Sequence, residues 1–96
     1  MPYAFTLDVP ATQDFYGDVA AKLKTETPAG LIAHIVHARP DGGLRYTDVW
    51  ESQADWEMFN EKRVMPAIAE VAAAHGITVD RTQTVFTEIE VIDAWV

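Results

Sequence analysis

Two short runs bring together side chains that could move a proton. In "LIAHIVHARP", residues 31–40, His34 and His37 stand three apart, and in "LRYTDVW", residues 44–50, Tyr46, Asp48 and Trp50 alternate. A histidine held by a carboxylate through one ring nitrogen keeps the other nitrogen for taking a proton from a phenol or an activated carbon acid. A neighbouring phenol can donate a hydrogen bond to the oxyanion that forms. In these terms His34 is the candidate base, Asp48 its orienting partner and Tyr46 the oxyanion donor. Ile32, Val36, Trp50, Trp56 and Phe59 are candidate walls for a flat hydrophobic molecule. The same row also fits a satisfied polar pair in a packed core, and aromatic residues at helical spacing often only pack, so both readings stand at this point.

The turn between the two runs decides which histidine joins the row. Residues three apart on a strand point to opposite faces, so His34 and His37 cannot ligate one metal from within one subunit. If Pro40 and Asp41 form a type I turn with Gly42 left-handed, the loop has three residues, Arg39 pairs with Gly43, and His34 lies opposite Asp48. If all of "PDGG" forms the loop, Arg39 pairs with Leu44 and His37 lies opposite Tyr46. Proline at the first central position, aspartate at the second and glycine at the left-handed one favour the first register.

Around these runs the chain alternates between two periods. Tyr3, Phe5, Leu7 and Val9 alternate as a strand over 3–9, and Phe15, Tyr16, Val19, Ala20 and Leu23 form one stripe of a helix over 11–24, entered after Pro10. Strands are predicted over 31–39 and 44–51. Ser52 then opens a helix through the capping box "SQAD", and this helix carries Trp56 and Phe59. Pro66 should kink or break it near Met65, after which "PAIAEVAAAHG" resumes and stops at Gly76. A last strand is predicted over 84–92, where Glu88 and Glu90 mark a rim, a partner contact or a pocket entrance. Trp95, near the end of the chain, calls for a surface to cover it. Arg45, Glu51, Glu57 and Glu61 read as solvated charges.

The order β-α-β-β-α-β is that of a ferredoxin-like α+β sandwich, a single domain spanning 1–96. Two helices cover one face of its sheet, while the strands are largely uncharged on both sides, so a homodimer through the open sheet face is expected. Ninety-six residues bury roughly 60 to 65% of their unfolded surface, which leaves a thin core that a partner would reinforce. Fifteen acidic against seven basic residues give a net charge of −8, which would repel rather than steer a nucleic acid. No apolar run approaches the roughly 20 residues of a membrane span, and "MPYAFTLDVP" lacks the pattern of a secretory signal, so a cytoplasmic protein is expected. Without cysteine, EF-hand spacing or a glycine-rich phosphate loop, the sequence calls for neither a metal nor a cofactor.

"DVWES" closing the third strand, "DWEMF" in the helix behind it, "RVMPAI" with its proline, and a histidine in the second strand together resemble the antibiotic-biosynthesis-monooxygenase-like proteins of the dimeric α+β barrel superfamily. The likeness spans nearly the whole chain in element order, and its most specific words lie within 30–68. It implies two ferredoxin-like sheets paired into a barrel, with an apolar cavity inside each subunit. It also implies a range of chemistry: cofactor-free oxygenation of polycyclic phenols, polyketide cyclisation, lactone isomerisation or haem degradation. Haem chemistry wants an axial histidine on a helix, and His75, the one helical candidate, sits at a helix end beside Gly76. The expected function is proton abstraction from a hydrophobic aromatic or polyketide-like substrate, as in a cofactor-independent monooxygenase. The alternatives are a polyketide cyclase or isomerase, and a dimer that binds a small ligand without reaction.

Overall fold

The computed structural model describes residues 2–79 and 81–93; Trp95 lies outside them. Among these residues the order is β1 (Tyr3–Val9), α1 (Gln13–Leu23), β2 (Leu31–Ala38), β3 (Leu44–Trp50), α2 (Gln53–Phe59), a π-helical stretch (Asn60–Val64), α3 (Met65–His75), a 3-10 turn (Arg81–Gln83) and β4 (Val85–Ile89). The strands form one antiparallel sheet in the order β2-β3-β1-β4, with the helices on one face. This is the expected ferredoxin-like sandwich. Among the described residues no helix is long and apolar enough to cross a membrane.

Three boundaries differ from the sequence expectation, each for a local reason. Helix α1 begins two residues late because Thr12 takes the cap: its hydroxyl accepts the Phe15 amide at 3.1 Å. Proline does not break the second helix. The chain stays right-handed from Gln53 to His75, and the turns ahead of Pro66 widen into the π-helical stretch, where the Met65 amide reaches back to the Asn60 carbonyl. A proline ring clashes with the carbonyl four residues before it and has no amide to bond it, and a widened turn relieves both problems. Strand β4 ends at Ile89 rather than 92. It is an edge strand paired only with β1, and its last partner there is Ala4, just before Tyr3 and the donor-less Pro2.

One packed region joins the helices to each other, and a second joins a helix to the sheet. Val19, Ala67 and Val71 are buried between α1 and α3, with Phe15, Leu23 and Ile68 against them. Phe5 and Trp50, each 1% exposed, form the floor of an aromatic cluster. Trp56 stands over Phe5 at 4.7 Å between ring centroids and over Trp50 at 5.6 Å, and Phe59 lies 5.5 Å from Trp50. Burying side chains of this kind stabilises a fold by roughly 1.5–3 kcal/mol each. Gly43 lets β3 start here: its φ is +78°, and a Cβ would sit 2.5 Å from the Val9 carbonyl oxygen.

The opposite sheet face carries no helix. Its rows run straight across the four strands: Ala33, Val49, Ala4 and Ile89, then Ile35, Thr47, Thr6 and Thr87. Neither row contains a charge, and Ile35 and Ile89 are exposed. A third row brings His37, Arg45, Asp8 and Val85 together. Arg45, expected as a solvated charge, instead forks onto Asp8 at 2.6 and 3.0 Å and holds that carboxyl below the usual carboxylate range.

Candidate functional site

The Pro-Asp-Gly turn sets the site. The Arg39 amide donates to the Gly43 carbonyl at 3.0 Å and the Gly42 amide to the Arg39 carbonyl at 3.1 Å, with Gly42 at φ +99°. The loop therefore has three residues, and β2 pairs with β3 so that His34 faces Asp48 and Val36 faces Tyr46. His37 pairs with Arg45 on the open face. A bulge at the start of β2 leaves Ile32 as an extra residue between the Leu31 and Ala33 pairings.

Across the helix-side face one row reads His34, Asp48, Phe5, Glu88. The His34 Nδ1 lies 2.6 Å from Asp48 Oδ1, and the Trp50 indole donates to Asp48 Oδ2 at 3.1 Å. An indole nitrogen only donates, so Oδ2 accepts. A carboxylate at Oδ1 then takes its shortest bond from an Nδ1–H, which fixes the proton of neutral His34 on Nδ1. The pair is graded in depth, since the Asp48 side chain is 5% exposed and that of His34 is 31% exposed. A carboxylate sealed beneath an accessible imidazole is an arrangement that orients the ring while leaving it within reach of a ligand.

The sequence reading missed Tyr16. Its hydroxyl lies 2.9 Å from His34 Nε2, with the two rings stacked at 6.2 Å and 19°. With Nδ1 protonated, Nε2 accepts and the phenol donates. Tyr46 completes the group, 5.7 Å from the His34 ring and 5.4 Å from that of Tyr16. Burial pushes the Tyr46 phenol up to about 12, helped by Tyr16 and Asp48, and burial also raises Tyr16. Both phenols stay protonated across the physiological range. A signal for Tyr16 was present in the sequence: it is the one residue with a polar tip in the inward stripe of α1, and a hydroxyl facing a sheet needs a partner there.

These side chains border a cavity of about 940 Å³ between the sheet and the helices. Its size lies within the roughly 300–1,000 Å³ range of small-molecule sites. Of the expected residues, His34, Asp48, Tyr46, Ile32, Trp50, Trp56 and Phe59 all line it. Val36 does not: it shares the face with Tyr46 but lies off the cavity wall. Trp50, Trp56 and Phe59 serve both expectations, since they line the cavity and also pack on one another. Glu88 accepts a hydrogen bond from the Tyr3 hydroxyl at 3.1 Å, away from the histidine. His75 bonds Asp18 at 2.7 Å on the helix side. Among the described residues no cluster of three or more His, Asp or Glu side chains could hold a metal ion.

No protein-family profile and no curated protein matches the chain. Solved structures do. The protein Rv0793 of Mycobacterium tuberculosis superposes with a TM-score of 0.66 at 17% identity, covering 98% of both chains. A Chloroflexus aurantiacus protein provisionally named an antibiotic biosynthesis monooxygenase gives 0.62 at 16%, covering 99% of this chain and 97% of its own. The fold is that of the antibiotic-biosynthesis-monooxygenase-like proteins. A third similar structure is a monooxygenase from the gene ActVA-Orf6 of Streptomyces coelicolor, in complex with the ligand Nanaomycin D. It gives a TM-score of 0.57 at 14% identity, covering 99% of this chain and 90% of its own. The antibiotic-biosynthesis-monooxygenase-like fold thus runs over nearly the whole chain, and at these identities the likeness speaks for fold alone.

Proposed function

We propose that the protein is an enzyme that removes a proton from a hydrophobic aromatic or polyketide-like molecule bound between sheet and helices. His34 is the base, Asp48 its orienting partner, and Tyr46 the donor to the oxyanion. One observation carries this reading: an accessible imidazole, backed by a sealed carboxylate, stands in the wall of a largely apolar cavity of about 940 Å³. A histidine that served only the core would be closed on all sides. Tyr46 suits its role because a phenol held protonated up to about 12 donates a hydrogen bond at neutral pH without losing its proton to the medium.

The carbanion so formed can react with dioxygen without any added cofactor. For an anthrone-type substrate, dioxygen takes up the methylene carbon's two protons and four electrons, leaving one oxygen as the new carbonyl and the other as water. That outcome makes the protein a cofactor-independent monooxygenase, and the fold shared with a monooxygenase in complex with the ligand Nanaomycin D supports it. Used without oxygen, the same carbanion serves a cyclase or isomerase. The protein works as a homodimer through the open sheet face, where two uncharged rows would pair with those of a second copy. Incubating the protein with anthrone and with polyketide phenols, in air and under argon, tests the reading. Turnover that drops at least about 100-fold in His34→Ala is expected, and equal turnover by both proteins would remove His34 as the base.

A further inference from the structure

At rest His34 offers no free lone pair to the cavity. Its Nδ1 is taken by Asp48 at 2.6 Å and its Nε2 by the Tyr16 hydroxyl at 2.9 Å, while the second Asp48 oxygen is taken by the Trp50 indole. The chain of four side chains ends at a phenol oxygen that donates one hydrogen bond and keeps lone pairs to accept another. Tyr16 reaches this position from α1, and it lines the cavity together with His34 and Tyr46. Its hydroxyl sits 2.9 Å from Nε2, so a ligand approaching that nitrogen meets the phenol oxygen first.

We propose that Tyr16, rather than His34, is the group that touches the acidic position of the substrate, and that it relays the proton to His34. This rests on the reading of His34 as the base and extends it. As the substrate C–H or O–H bond breaks, its proton joins the Tyr16 oxygen. The Tyr16 O–H bond breaks in the same step, and that proton joins His34 Nε2. The products are the substrate anion, a neutral Tyr16 and an imidazolium held by the Asp48 carboxylate, so charge and protons balance with no other reactant. The relay is concerted: burial raises Tyr16 above the usual phenol range, which disfavours a free phenolate between the two transfers. Tyr46 has a different task, because its ring flanks both partners and no hydrogen bond joins it to His34 Nε2, which Tyr16 occupies.

The test uses anthrone as probe, under argon in deuterium oxide, with deuterium entry at the methylene carbon followed by NMR. Exchange does not need oxygen, so it reads proton abstraction alone. Wild type is expected to speed exchange, and both Tyr16→Phe and His34→Ala to lose at least about 100-fold of that acceleration. Tyr16→Phe keeps the ring, so its affinity for anthrone should stay within about tenfold of wild type. Installing 3-fluorotyrosine at position 16 preserves shape and restores exchange with a shifted pH profile, which a purely structural tyrosine would not do. Exchange at the wild-type rate by Tyr16→Phe, with His34→Ala inactive, overturns the relay while leaving His34 as the base. If neither substitution slows exchange, or wild type does not accelerate it, the base assignment and the relay fall together.

Discussion

Asp48 illustrates how one carboxylate can organise a site from beneath. It accepts from His34 and from Trp50, both on the helix-side face of the sheet, and it is nearly sealed from solvent. Replacing it with asparagine keeps the shape but removes the charge that holds the proton on Nδ1. Asp48→Asn is therefore expected to lower kcat by about 10²- to 10⁴-fold with little change in KM, measurable in the same turnover assay. The phenols give a second prediction. Tyr46 and Tyr3 are each pushed from 10.0 to about 12, first of all by burial, and Tyr3 also by its bond to Glu88. A raised folded value means that the stability these groups lend is complete below pH 10 and is lost as pH rises from 10 through about 12. Burial raises Tyr16 as well, so ultraviolet titration should show all three tyrosines ionising late, and Tyr46→Phe should remove one of them. The carboxylate and the two strand residues facing it were legible in the sequence, because alternation and a turn of known chemistry placed them. Tyr16 was not, because its role depends on how α1 crosses the hairpin, and helix periodicity says which side faces inward but not which sheet residue it meets.

Among the elements, the hairpin loop carries the most consequence per residue. A four-residue loop would have put His37 beside Tyr46 and turned His34 away, so the positive φ values at Gly42 and Gly43 are what give the site its histidine. Gly43→Ala is expected to destabilise the fold by about 1–3 kcal/mol, since it meets both a strained φ and the Val9 carbonyl. Gly17 is the opposite case. It lies inside α1 with open space where a Cβ would go, so Gly17→Ala should stabilise by about 0.5–1 kcal/mol. Denaturant midpoints of the two variants check the pair. The Pro66 segment shows where sequence rules stop short. Proline chemistry correctly marked a disturbance before residue 66, but whether a helix breaks or widens depends on what holds the two halves in line. Here the far half is held by Ala67 and Val71 against Val19 of α1. The shorter β4 is a similar case: β-branched residues continue past Ile89, yet pairing needs a partner strand, and β1 extends only one residue, Tyr3, beyond Ala4.

For the molecule as a whole, the sheet divides two tasks. One face, under the helices, encloses the cavity, and the other presents two uncharged rows with Ile35 and Ile89 exposed. If a second copy covers that face, Ile35→Lys should convert a dimer to a monomer in analytical ultracentrifugation, while Met58→Lys, at an exposed position on helix α2, should not. The ferredoxin-like order was legible in the sequence because it rests on the alternation of periods. The residues of the cavity wall were largely legible as well, but its volume was not, since that is set by how far the helices stand off the sheet. The central claim is that this cavity takes a polycyclic phenol and removes its proton through the His34 and Asp48 pair. The absorption spectrum of bound 2-hydroxyanthraquinone, taken below the pH at which the free phenol ionises, tests it most directly. The account predicts the red-shifted spectrum of the phenolate with wild type and the neutral spectrum with His34→Ala. A neutral spectrum in both proteins, with the phenol bound, would contradict it.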